Sequence, residues 1–319
     1  MKLGICVPAL GPHVDRQTVR DFALRAEAAG FDSLWVQEHF MWRAVPKTGY
    51  AGAPGLPMPK PYQSLLQPLE LLSFCAAITE RVQLGTSILV TAYHRPLALA
   101  RRMATLDVLS GGRALCGLGL GWMAEEYEHM DTPFEKRGPR MTDFVRALKA
   151  AWLPDPVSYD GPFFRYPECD SSPKPVQRDA DGQPYVPILT GGGSPKSLER
   201  CAKYGDGWNP AGMPAAAVAA ARRELDAMCE AQGRPHVPVY LRVFNNPTMA
   251  GVEAWDGGFF GPMSWHGGID KQAERLAECK SAGIDHVILE TNFWEANPSP
   301  AHWLKQVDWF APLVDLAHG

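Results

Sequence analysis

The segment VPILTGGGSPKSL, residues 186–198, carries the clearest chemical signal in the chain. A strand-like run feeds Gly191, Gly192 and Gly193, after which Ser194 suits a helix N-cap and Pro195 the first helical position. Bare glycine backbone lets an anion approach, and the first turn of a helix offers unpaired N–H groups at the positive end of its dipole. Phosphate binding is the chemistry such a loop would do. A capped glycine turn without a ligand is the other reading, and both stay open on these residues alone. The Walker A pattern is absent, and no G-x-S-x-G elbow surrounds Ser194, so its place as an N-cap explains it better than a nucleophilic role.

A second glycine cluster, GLGLG at 117–121, ends a strand-like run, where Gly119 and Gly121 would let a flat ring or its side chain lie against backbone. The dinucleotide fingerprint fits poorly. Its sixth position holds Trp122, and the candidate acid, Asp143, falls in a helical pattern. A purely structural glycine turn is the competing reading. Glu38 and His39 stand side by side at the end of another strand-like run, where a carboxylate could hold the imidazole in one tautomer for proton transfer. Successive strand residues face opposite sides, so only one of the two reaches the same space unless the strand has already ended. His13, His94, His129, His236, His302 and His318 show no partner pattern, and no HExxH spacing occurs, so no metal is expected.

Positioning these residues together requires several strand ends to converge. Residues 3–7 read as a strand, and Val19, Phe22, Ala23 and Ala26 then recur at helical spacing up to Gly30. The same alternation continues through strand-like runs at 33–36, 82–89, 114–118, 186–189, 206–209, 239–243 and 286–289, with helical patterns between them. Alternating strands and helices build either an open doubly wound sheet or a closed barrel, and eight units favour a (β/α)8 TIM barrel over 1–319 as a single domain. Three stretches exceed ordinary loop length: 42–62, 155–181 with a possible hairpin, and 247–268 with its aromatic residues. The first and third would overhang the C-terminal face, where barrel active sites lie.

Composition narrows the partner. The 319 residues are 46% hydrophobic and 21% charged, with a net charge of −4 and scattered cations, which argues against nucleic acid or an anionic membrane surface. A small organic molecule is expected instead. The opening MKLGICVPALGPHVD lacks the apolar core of a secretory signal, and no segment reaches the roughly 20 apolar residues of a membrane span, so a cytoplasmic location is expected. Seven cysteines never fall in CxxC spacing, which disfavours a disulfide framework or a zinc site.

Two long sections carry a family resemblance. ARRMATLDVLSGGRALCGLGLGWMAEEYEHMDTPFEKRGPRMTDFVRALKAAW, at 100–152, and the section from PEC through PKPVQ to VPILTGGGSPKSLERCAKYGDGW resemble the luciferase-like superfamily of flavin-dependent monooxygenases and deazaflavin-dependent dehydrogenases. The resemblance covers nearly the whole chain and implies a TIM-barrel oxidoreductase using coenzyme F420 or FMN. By position it implies that Gly191, Gly192, Gly193 and Ser194 hold the cofactor phosphate and that Ser87-Ile88 forms a non-proline cis peptide against the ring. It also implies that Gly119 and Gly121 lie near the ring and its chain, and that Glu38 and His39 stand at the reactive edge. Luciferase itself has a phosphate-binding Arg where this chain has Leu120, so the grip here is expected to rely more on backbone groups.

The details look more like the actinobacterial-type subgroup associated with F420, which implies hydride transfer, with an FMN-dependent monooxygenase as the second reading. Trp42, Trp255 and Phe259 are the expected substrate contacts, and a homodimer the expected assembly. A phosphate-sugar enzyme on the same barrel and a non-catalytic flavin-binding relative remain the alternatives from other classes.

Overall fold

The computed structural model describes residues 1–247, 264–292 and 299–319. Strands β1 (Lys2–Cys6), β2 (Ser33–Val36), β3 (Gln83–Thr86), β4 (Leu89–Val90) and β5 (Ala114–Gly119) alternate with helices α1 (Arg16–Ala28), α2 (Pro68–Ile78) and α3 (Pro96–Ser110). Helices α4 (Ala124–His129) and α5 (Arg137–Trp152) follow, then β6 (Val157–Asp160) and β7 (Arg165–Cys169). The second half runs β8 (Ile188–Gly191), α6 (Pro195–Tyr204), β9 (Gly207–Asn209), α7 (Ala215–Glu230), β10 (Tyr240–Pro247), β11 (Ser264–Gly267), α8 (Ile269–Ser281), β12 (His286–Glu290) and α9 (Pro300–His318). Among the described residues no helix is long and apolar enough to cross a membrane.

Local chemistry sets these boundaries. The Asp15 carboxylate caps α1 by accepting from the Thr18 N–H at 2.7 Å, and Val19, Phe22, Ala23 and Ala26 form its buried stripe. Pro96 opens α3 at a position where its missing N–H costs nothing, and left-handed Gly111 closes it.

The strands form a curled parallel sheet in the order β11, β10, β12, β1, β2, β3, β5, β8, β9, with β4 added on β5. Parallel bridges Trp208–Val239 and Ala211–Arg242 reach from the β9 region to β10, beside hydrogen bonds from Arg242 N–H to Pro210 O and from Gly212 N–H to Arg242 O, each 2.9 Å. Cys6, Trp35, Leu115, Leu189 and Ile288 pack as one buried cluster with Tyr240 against it, and the helices cover the outer face through the larger apolar core. Parallel strands buried on both faces read as continuous apolar runs, which is why their positions were visible in the sequence.

Two expectations need correction, and one falls outside what the structure describes. The run expected as one strand at 82–89 is split into β3 and β4, with a cis peptide at Ser87-Ile88 between them. The long stretch 247–268 contains a strand, β11, that pairs parallel with β10. Trp255 and Phe259, expected to touch substrate, lie outside the described residues. The hairpin expected within 155–181 is present as the antiparallel pair β6 and β7.

Candidate active site

All eight residues expected to hold a cofactor converge. Ser87, Ile88, Gly119, Gly121, Gly191, Gly192, Gly193 and Ser194 line one cleft of about 990 Å³ at the C-terminal ends of the parallel strands. At its glycine end Ser194 caps α6 through the Ser197 N–H at 3.3 Å, and the Trp208 indole N–H pins the loop by donating to Gly192 O at 2.8 Å. Gly192 has φ +99°, a conformation that side-chain-bearing residues rarely adopt, so this position demands glycine for its backbone alone.

Lys136, Arg137, Lys196 and Arg200 line the same end of the cleft. Lys136 and Arg137 come from the start of α5, Lys196 and Arg200 from the first turns of α6, so two helix N-termini and their cations face one space. Leu120 supplies no charge at this end, and four cations line it beside the backbone of the glycine loop. Arg200 is buried, and burial lowers its guanidinium from the ordinary arginine value. It is held by Thr142 Oγ1 at 3.1 Å and Gly138 O at 3.3 Å.

The middle of the cleft is built on a buried charge pair. Arg242 donates to Ser87 O, Gln37 Oε1 and Glu290 Oε2. Burial alone would lower the Arg242 guanidinium, but the neighbouring Glu290 carboxylate raises it above its usual value. Its Nε is buried without a hydrogen-bond partner among the described residues, and Arg242 lines the cleft. Beside it the Ser87 hydroxyl donates to Asn209 Oδ1 at 2.8 Å. A Cβ on Gly119 would fall 2.6 Å from Ile88 Cδ1, so the room left by this glycine is taken by the Ile88 side chain.

Behind Trp122, which lines the cleft, lies a buried aromatic and acidic cluster. His39 shares its Nδ1 with Glu126 Oε2 at 2.9 Å and packs against Tyr62 and Trp122, each 5.2 Å between ring centroids. Trp122 lines the cleft; Glu38, His39 and Trp42 are not among its lining residues. The Glu126 carboxylate is buried and also accepts from the Tyr93 hydroxyl, the Phe40 N–H at 2.5 Å and the Met41 N–H at 3.2 Å. Burial by itself would raise the Glu126 carboxyl, but the hydrogen bonds from His39, Tyr93 and Phe40 outweigh it and hold the group below its ordinary value. An anion at Oε2 keeps the proton of His39 on Nδ1 and leaves Nε2 for proton exchange.

Glu38 and His39 do not pair with each other. The strand ends at Val36, and the two side chains diverge: Glu38 accepts from the Val90 N–H at 2.8 Å and meets His94 Nε2 at 3.0 Å. Its carboxylate thus ties the segment after the cis peptide to the end of β2. Trp42 belongs to the interior of its own loop, with its indole N–H on Pro59 O at 3.0 Å and Met58 O at 3.3 Å. Around it Leu10, Tyr50, Met58, Tyr62 and Met123 form a buried cluster, joined by Trp122 and Phe244.

Sequence reasoning missed Glu126, His94, Arg242, Glu290 and the four cations. Arg242 and Glu290 had a readable signal, since each is a charge in or at the end of an apolar strand run. Glu126 had none, because its partner His39 is 87 residues away.

A curled parallel α/β sheet thus carries, at its strand ends, a cleft lined by a glycine loop and four cations, with a buried polar cluster beside it. The chain belongs to the luciferase-like monooxygenase family, whose sequence profile matches residues 1–286. An uncharacterized protein of Mycobacterium tuberculosis is 33% identical over 189 residues, covering 57% of this chain and 64% of that protein. The F420-dependent glucose-6-phosphate dehydrogenase of Kineococcus radiotolerans is 33% identical over 192 residues, 59% of this chain and 50% of the enzyme. The match thus spans between half and two thirds of these relatives' lengths. Among solved structures, monooxygenase RslO1 from Streptomyces bottropensis shares the fold with a TM-score of 0.79 at 21% identity over 100% of both chains. An F420-dependent secondary alcohol dehydrogenase does so with a TM-score of 0.76 at 17% identity over 99% of both.

Proposed function

We propose that this chain is an oxidoreductase that holds coenzyme F420 in the cleft and transfers a hydride between it and a small organic substrate. The observation that carries the reading is the convergence of eight residues from separate strand ends on one cleft whose far end gathers four cations around a glycine loop. Relatives in the same family, including the F420-dependent dehydrogenase of Kineococcus radiotolerans, support F420. FMN is the second reading, because it too presents a phosphate to that end. We also read the sheet as a closed eight-stranded barrel forming one domain, which the two bridges to β10 support.

The residues present fit such a cofactor: four cations suit an anionic tail, and the Arg242 Nε, without a partner among the described residues, suits a polar ring edge. Bound there, the deazaflavin ring supplies a carbon that accepts or donates a hydride. Gly191, Gly192, Gly193 and Ser194, with Arg137, Lys196 and Arg200, would anchor the phosphate. Ser87, Ile88, Gly119 and Gly121 would hold the ring portion. His39, fixed through Nδ1 by Glu126, would accept the hydroxyl proton of an alcohol substrate on Nε2, or return it to the oxygen of a carbonyl substrate in the reverse direction.

The test is an absorbance titration of the purified protein with F420 and with FMN. Saturable binding of F420, tighter than FMN by tenfold or more, is expected. Tighter FMN binding would move the reading to FMN, and binding of neither would end it.

A further inference from the structure

Resting on that reading, we infer that Arg242 biases the bound cofactor toward its reduced form: its guanidinium is a fixed cation in the cleft wall that attracts the charge a hydride brings. Arg242 rises from β10, apart from the four cations at the helix starts, and lines the cleft with Ser87, Ile88 and Asn209. Three strand ends hold it, through Ser87 O after β3, Gln37 Oε1 after β2 and Glu290 Oε2 at the end of β12. These partners are themselves fixed. Gln37 Nε2 donates to the Tyr62 hydroxyl at 3.2 Å, which turns its Oε1 toward Arg242, and the Glu290 carboxylate accepts from the Asn292 N–H at 2.7 Å and Nδ2 at 2.9 Å. The side chains of Arg242 and Glu290 are 9% and 1% exposed, so both charges are held away from bulk water.

The pair is polarised across the wall. Arg242 lines the cleft and Glu290 does not, so the positive end of the pair faces the cofactor's space. Among the described residues that line the cleft there is no carboxylate to offset it. A buried ion pair adds little stability over apolar side chains of similar volume, so packing gives no reason to set a cation in this wall. Charge does. A hydride carries two electrons and one proton, so its transfer breaks a C–H bond of the substrate, forms one on the cofactor and adds one unit of negative charge there. The hydroxyl proton of the substrate goes to the base assigned above. In a site poor in water, a neighbouring cation favours that added charge far more than it would in solution. On the protein, oxidation of an alcohol is thereby favoured over reduction of a carbonyl.

Anaerobic absorbance titrations with oxidised and with chemically reduced cofactor test this without any substrate. The ratio of the two dissociation constants, oxidised over reduced, reports the bias; F420 is the probe, or FMN where FMN binds more tightly, since both take up a hydride. Arg242→Gln should lower the ratio by about tenfold, and Glu290→Gln, which removes the countercharge and leaves the cation, should raise it by about threefold. A purely structural pair would not move the ratio in opposite directions. The double variant Arg242→Gln/Glu290→Gln removes both charges and stands in where a single variant fails to fold; its ratio should fall by about threefold. A ratio that does not fall when Arg242 is replaced, or that does not rise in folded Glu290→Gln, overturns the inference while the cofactor reading stands. Binding of neither F420 nor FMN in either form overturns both.

Discussion

The glycine end of the cleft and the aromatic cluster behind Trp122 are assembled by opposite strategies. At the glycine end the lining groups come from two short stretches, with Gly191–Ser194, Lys196, Ser197 and Arg200 from one and residues 136–139 from the other, so the site is largely local in sequence. In the aromatic cluster the groups come from distant segments, with His39 after β2, Tyr93 after β4 and Glu126 on α4 meeting at one carboxylate. A local site survives the loss of one member because its neighbours do the same job. A convergent site depends on its hub. Substitutions should therefore be far more damaging at Glu126 than at any single glycine-end residue.

The largest effect is expected for Glu126→Leu. It would leave His39 Nδ1, the Tyr93 hydroxyl and two N–H groups without their shared acceptor in a buried place. Unpaired buried donors cost about 1–3 kcal/mol each, so a stability loss of about 3 kcal/mol or more should appear in denaturant unfolding. Glu126→Gln keeps the shape and separates packing from charge; turnover should still fall by about 10²-fold, since the amide no longer holds the His39 tautomer firmly. The pH dependence has a definite sign. A carboxyl held below its ordinary 4.5 stabilises the fold above that pH, and this contribution is lost as the pH falls through the lowered value. Glu126→Gln should flatten the acid limb of the stability curve. If both variants keep wild-type stability and turnover, the aromatic cluster has no hub.

An intermediate effect is expected at the glycine end. Gly191→Val places its Cβ at ordinary contact, 3.5 Å from Asn209 O and 3.6 Å from Leu118 O, so the fold should hold while the added methyls enter the cleft. Cofactor affinity should fall about tenfold, or about 1.4 kcal/mol, with an unchanged melting transition. Gly192→Val is the less informative choice, because its positive φ penalises any side chain whether or not a ligand binds. Unchanged affinity in Gly191→Val would remove the phosphate from this end.

The same contrast explains what the sequence made legible. The glycine loop, its Ser194 cap, Pro195 and the alternating elements are written in consecutive residues, so the local structure they form was readable. Glu38 and His39 were read as partners because they are adjacent, yet past the end of β2 the chain turns them toward different segments, one to His94 and the other to Glu126. Adjacency sets proximity along a chain, whereas pairing is decided by the packing of α4 and the β4 segment against the strand ends. The cations of α5 and α6 were part of a scattered distribution, since nothing in their spacing tells that two helix starts line one cleft.

The smallest effect concerns Trp42, and it decides how far the aromatic cluster extends toward substrate. The sequence reading gave Trp42 a substrate contact; the structure engages its indole N–H with Pro59 O and Met58 O inside the loop. Trp42→Phe keeps an aromatic ring and deletes only that donor. Two carbonyls then lose one partner in a partly buried place, which should cost about 1 kcal/mol in denaturant unfolding. If Trp42 is loop scaffold, cofactor affinity should be unchanged and KM should stay within about twofold, because Tyr50, Tyr62 and Trp122 keep their mutual packing. If stability is unchanged and KM rises fivefold or more, the indole touches substrate, and the aromatic cluster extends further along the loop than its hydrogen bonds imply.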